Sequence, residues 1–84
     1  MQRKYRRTLE AIFTQLERSN IPWAEIESLL ASLGAGISEG RGSRVRVAIN
    51  DVRAVFHRPH PQKETTKGAV KSVRRFLTEA GMKP

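Results

Sequence analysis

The chain has 84 residues, no cysteine, and a formal charge of +8 from 16 basic and 8 acidic side chains; that length suits one compact domain and leaves no room for a second. Without cysteine there are no disulfides, thiolate zinc sites or cysteine nucleophiles, and a reducing, cytoplasmic setting is expected. No apolar run approaches the roughly 20 residues that span a bilayer, and residues 1–19 are charged and amphipathic without the apolar core of a signal peptide; neither a membrane partner nor export is expected.

In chain order, Tyr5, Leu9, Ile12, Phe13 and Leu16 recur at spacings of three and four, which predicts a helix over residues 4–18 with one buried face. Asn20-Ile21-Pro22 interrupts it, because proline cannot continue a helix but suits the first turn of another, with Asn20 or Ile21 near the cap. The second helix carries the stripe Trp23, Ile26, Leu29, Leu30 and Leu33 and should end where Gly34 or Gly36 takes a left-handed backbone. The period then falls to two. Ile37-Ser38-Glu39 reads as a short strand, and Gly40-Arg41-Gly42 as a tight turn. Val45, Val47 and Ile49 alternate with Arg44, Arg46 and Ala48; after an Asn50-Asp51 hairpin turn, Val52, Ala54 and Phe56 alternate with Arg53, Val55 and His57. Pro59 and Pro61 remove ladder donors, so the chain must leave the sheet as a stiff extended segment. A last helix from Lys67 to Ala80 buries Val70, Val73, Phe76, Leu77 and Ala80, turns Lys67, Lys71, Arg74 and Arg75 to solvent, and stops at Gly81. The order is α-α-β-β-β-α.

Charge is divided unevenly along this order. Residues 1–39 hold five basic and five acidic side chains, whereas residues 40–84 hold eleven basic and three acidic. A gathered positive field attracts polyanions and releases their counterions on contact, so an RNA or DNA partner is favoured over a merely solvating surface. Arg41, Ser43, Arg44 and Arg46 lie in and beside a glycine turn whose amides can also face phosphate. Both histidines, His57 and His60, lie in the stretch Phe56-His57-Arg58-Pro59-His60-Pro61. An imidazole among cations suits proton transfer in phosphodiester chemistry: one group takes the proton of the ribose 2′-hydroxyl, another protonates the leaving 5′ oxygen, and cations stabilise the phosphorane. His60 is the favoured candidate for base or acid, with Arg58, Lys63 and Lys67 supplying charge; the bland alternatives are that the ring of His57 packs on the sheet and that His60 only contacts phosphate. Two histidines without a nearby carboxylate pair or cysteine fall short of the usual ligand number, so no metal is expected. No nucleotide-binding glycine loop is present, and no other cofactor is called for.

These residues resemble a known family. A helix ending in Leu33-Gly34, then Glu39-Gly40-Arg41-Gly42-Ser43 opening a strand pair, a His/Pro exit, and a final Lys-Gly-x-x-Lys-x-x-x-x-Phe-Leu helix over residues 67–77 are similar to the HicA-type toxins. The likeness covers residues 21–82 as a HicA-like RNA-binding core and leaves residues 1–19 as an N-terminal helical addition to a single domain, 1–84. It implies a small α+β fold like that of double-stranded-RNA-binding domains, a three-stranded antiparallel sheet packed by helices. It further implies an mRNA interferase, that is, an endoribonuclease, neutralised by a HicB-like antitoxin that covers the active face; a homodimer or a higher toxin–antitoxin assembly is compatible with it. The usual motif of the family is Gly-Ser-His, with that histidine taken as catalytic, whereas this chain has Gly42-Ser43-Arg44. An arginine stays protonated and cannot act as a general base. Either His60 or His57 performs the proton transfer, or the protein binds RNA without cutting it; Arg44 is then a phosphate clamp or a transition-state stabiliser, and a further alternative is an antitoxin-docking subunit without nuclease activity. The first helix is expected to be structural cover or a dimer contact rather than an RNA contact.

Overall fold

The computed structural model describes residues 2–14, 21–59 and 63–84. Six elements follow in the expected order: α1 (Arg3–Phe13), α2 (Trp23–Ser32), β1 (Gly36–Glu39), β2 (Arg44–Ile49), β3 (Val52–His57) and α3 (Lys67–Glu79). The strands form one antiparallel sheet in the order β1-β2-β3, as two successive hairpins dictate. Because side chains alternate across a strand, the register sets Ile37, Val47 and Ala54 in one row and Val45 beside Phe56 in another, all on the inner face. Val45, Val47, Ile49 and Phe56 are buried there against Ile26, Leu30, Val73 and Leu77 of α2 and α3. Phe56 is central, with its ring 5.8 Å from that of Trp23 and 5.7 Å, edge-on, from that of Phe76. Such pairs add about 0.5–1.5 kcal/mol beyond the area they bury.

The β2–β3 turn works without glycine because Asn50 and Asp51 both adopt positive φ, +50° and +68°. This is the primed geometry that matches strand twist and that Asn and Asp tolerate best among residues with a side chain. Asn50 Nδ2 also donates to the carbonyl of Ala80 (2.9 Å), tying the turn to the end of α3. Helices α2 and α3 close alike: Ala35 N donates to Leu30 O across Gly34, and Met82 N to Leu77 O across Gly81, the Schellman arrangement that satisfies terminal carbonyls. Gly34, then, ends α2, while Gly36 already belongs to β1. Pro22 itself is the N-cap of α2; the Trp23 amide donates to Lys63 O (3.0 Å) and the Thr65 amide to Ile21 O (2.8 Å), pinning the segment before α3 beside the start of α2.

The extent of α1 and the direction of Arg74 differ from the sequence expectation. Helix α1 stops at Phe13 rather than running to residue 18: Thr14 is already extended, with φ −65° and ψ 133°. Leu16, expected on its apolar stripe, and Asn20, expected near the α2 cap, lie outside the described residues. A side chain of α3 caps this end. Arg74, expected to face solvent, turns inward and donates from Nε to Ile12 O (2.7 Å) and from Nη2 to Thr14 O (2.9 Å). It thereby satisfies carbonyls that a continuing helix would have used. Of the two roles expected for α1, packing on the domain is the one seen. Its Leu9 and Ile12 are buried in the same core as the sheet, with Tyr5 and Phe13 packed against it, and α1 contacts both α2 and α3.

Candidate functional site

All three helices contribute to the core on the inner face of the sheet, and the outer face is left open among the described residues. Its side chains follow from the register in three rows: Arg44 opposite His57; Ser38, Arg46 and Val55; and Gly36, Ala48 and Arg53. All of these except the half-buried Ala48 are exposed. No acidic residue stands in any of the rows, and Arg44, Arg46 and Arg53 form no salt bridge among the described residues.

The pairing type brings the two chemically distinctive groups together. The Arg58 amide donates to Ser43 O (2.8 Å), which makes Ser43 and Arg58 the hydrogen-bonded pair and places Arg44 and His57 in the adjacent non-hydrogen-bonded one. Residues in such pairs have Cα atoms only about 4.5 Å apart and side chains closest to each other. An imidazole and a guanidinium are thus held side by side on an open sheet face. The ring of His57 is exposed rather than packed on the sheet.

The turn that delivers Arg44 is built on Gly42, whose φ of +63° is left-handed. The Arg44 amide closes it onto Arg41 O (3.2 Å), and Gly40 N donates to Arg44 O (2.9 Å). Arg41 and Ser43 are exposed in that turn, at the same end of the sheet as His57. The start of α3 lies near this end too: Thr66 shares a depression of about 320 Å³ with His57, Pro59 and Thr65. Thr66 also caps α3, accepting from Ala69 N (3.2 Å), and Lys67 follows as its first, exposed residue. Lys63 is exposed on the segment leading to α3.

Arg58, expected to face RNA, goes elsewhere. One position beyond His57, its side chain points to the inner side. Its Nε donates to Glu27 Oε1 of α2 (2.6 Å) and its Nη1 to Glu39 Oε1 of β1 (2.5 Å). The same Glu27 accepts from the Trp23 indole N–H. The hydrogen bonds from Arg58, aided by that of Trp23 and by Coulomb attraction, hold the Glu27 carboxyl below its ordinary pKa against the opposing effect of burial. The two carboxylates in turn raise the pKa of Arg58. The charge of Arg58 is compensated within the fold, which makes it a strut for the end of β3. His60, the other proton-transfer candidate, lies outside the described residues.

Arg53 and Val55 also stand on this face, beyond the basic residues of the β1–β2 turn and of the exit that the sequence marks as candidates. The signal was present in the alternation: the two-residue turn at Asn50-Asp51 forces Arg53, Val55 and His57 onto the face of Arg44 and Arg46. Among the described residues, no cluster of three His, Cys, Asp or Glu side chains could hold a metal, and no helix is long and apolar enough to cross a membrane.

The family described as HicA toxin of bacterial toxin–antitoxin systems matches residues 23–82, from the first residue of α2 to just beyond α3. The chain belongs to the HicA toxin family. It is accordingly the toxin of a toxin–antitoxin pair, and its partner is an antitoxin. No curated protein and no solved structure matches the chain. Helix α1 lies outside the span shared with the HicA family, although it packs on the same core.

Proposed function

We propose that this HicA toxin binds mRNA on the outer face of its sheet and cleaves it without a metal, with His57 and His60 as the proton-transfer groups. The observation that supports this reading is the cross-strand pair of Arg44 and His57. Position 44 is where the family pattern has its histidine; the imidazole of His57 stands immediately beside it, one strand over. One imidazole takes the proton of a ribose 2′-hydroxyl, whose oxygen attacks the adjacent phosphorus. The 5′ oxygen leaves with a proton from a second group, and a 2′,3′-cyclic phosphate remains. Arg44, permanently charged and next to the reacting phosphate, stabilises the phosphorane, a task better suited to arginine than proton transfer. Arg41, Ser43, Arg46, Lys63 and Lys67 contact neighbouring phosphates, and a HicB-type antitoxin neutralises the toxin by covering this basic face.

The test is incubation of purified protein with a long mRNA in chelator, beside His57→Ala, His60→Ala and Arg44→Ala, with binding followed in parallel. General acid–base groups contribute about 10²–10⁴-fold, so either histidine variant should lose that much cleavage while keeping its RNA affinity. Arg44 replacing the family histidine also favours a second reading, in which the toxin blocks translation by occupancy. Salt-sensitive binding with intact RNA in all four samples would establish that reading and refute cleavage.

A further inference from the structure

The outer face holds a depression of about 510 Å³ that the cleavage chemistry leaves unused. Gly36, Ser38 and Ala48 give it a floor of small side chains, and Arg46, Arg53 and Val55 rise around it. Val55 is 54 % exposed, the sole large hydrophobic side chain so exposed among the described residues. The aromatic rings of Trp23, Phe56 and Phe76 are all buried in the core and unavailable for stacking. Phosphates alone would need neither the hollow nor the valine. A hollow with an apolar wall between two guanidinium groups that form no salt bridge among the described residues suits a flat, polarisable ring that packs on aliphatic carbon and stacks on guanidinium planes.

Resting on the proposed RNA-binding role of this face, we infer that the depression is a specificity subsite for one unpaired nucleobase, so that the substrate is single-stranded RNA. A base paired in an A-form helix has both faces covered by its neighbours and shows only its edges, so it cannot enter such a hollow; an unstacked base can. The hollow begins one row from the Arg44–His57 pair, about 7 Å along the strands. The nucleotide seated there is a near neighbour of the phosphate held at that pair. The subsite thus couples base identity to the position of the cut.

Two variants fill the hollow without disturbing the core. A Cβ at Gly36 meets no atom within 4 Å, and its φ is outside the left-handed region, so Gly36→Val is unstrained. Ala48 points to the same outer face, so Ala48→Leu extends into the depression. Dissociation constants are measured for the parent and both variants with short single-stranded RNAs of differing sequence and with an RNA duplex, with folding checked by circular dichroism. The parent should bind its preferred single strand at least about tenfold more tightly than the duplex, and each filled variant should lose about tenfold of that affinity, the order of one stacking contact. The slope of log affinity against log salt should stay unchanged, since no cation is removed. Equal binding of duplex and single strand, or filled variants that bind as the parent does, would overturn the subsite. So would filled variants that weaken only the antitoxin complex, which would assign the hollow to the protein partner. A parent that binds no RNA even at low salt would instead overturn the RNA reading beneath it.

Discussion

Salt dependence separates cations that meet phosphate from those already compensated inside the fold. Arg46 and Arg58 are equivalent by composition, yet Arg46 stands on the outer face with no salt bridge among the described residues, while Arg58 lies between Glu27 and Glu39. For single-stranded nucleic acid, log affinity falls with log salt by about 0.7 for each phosphate neutralised. Arg44, Arg46 and Arg53 together should therefore contribute a slope of about −2, equivalent to about a twentyfold loss of affinity between 50 and 200 mM salt. Arg46→Ala should make the measured slope shallower by about 0.7, whereas Arg58→Ala should leave it unchanged even if overall affinity shifts. The assay is fluorescence anisotropy of a labelled single strand across that salt range, on samples shown by circular dichroism to be folded. A slope lost to the same extent in Arg58→Ala would mean that its guanidinium leaves both carboxylates to meet the backbone, and the argument from ion pairing would fail.

Other consequences concern stability. The pKa of Glu27 is depressed in the fold, so its contribution is fully present above its ordinary value near 4.5 and is lost as pH falls through the lower folded value. The melting temperature should fall as pH drops below about 4.5, less so in Glu27→Gln; equal acid sensitivity of the two proteins in thermal melts would contradict the pairing. Ile12 of α1 is fully buried, and Ile12→Ala should cost about 2–5 kcal/mol, lowering the melting temperature by about 8 °C or more. An unchanged melting temperature would show that α1 is dispensable to the core. Asp51→Gly should stabilise by up to about 1 kcal/mol, because Asp51 sits at φ +68° in a turn for which Asn-Gly is the favoured pair. Denaturant titration showing destabilisation would mean that the Asp51 side chain contributes more than its backbone conformation costs.

Much of this molecule is written in its periodicities. A change from three-and-four spacing to strict alternation separates helices from strands, and the buried stripes of α2 and α3 are the residues that the pattern names. These elements are legible because each buries one face, and burial imposes its own period on the sequence. The gathering of positive charge in residues 40–84 is likewise a property of the chain itself. Its distribution in space is not. Arg44, Arg46, Arg58 and Arg74 look alike in sequence. Tertiary structure sends the first two to the open face, pairs the third with carboxylates 31 and 19 residues away, and turns the fourth to the carbonyls of α1, about 60 residues earlier in the chain. The meeting of Arg44 with His57, by contrast, already follows from strand alternation about the two-residue turn at Asn50-Asp51. The partners of Arg58 and Arg74 depend on which donor and acceptor are brought together when distant segments pack, and a side chain's charge does not specify that partner.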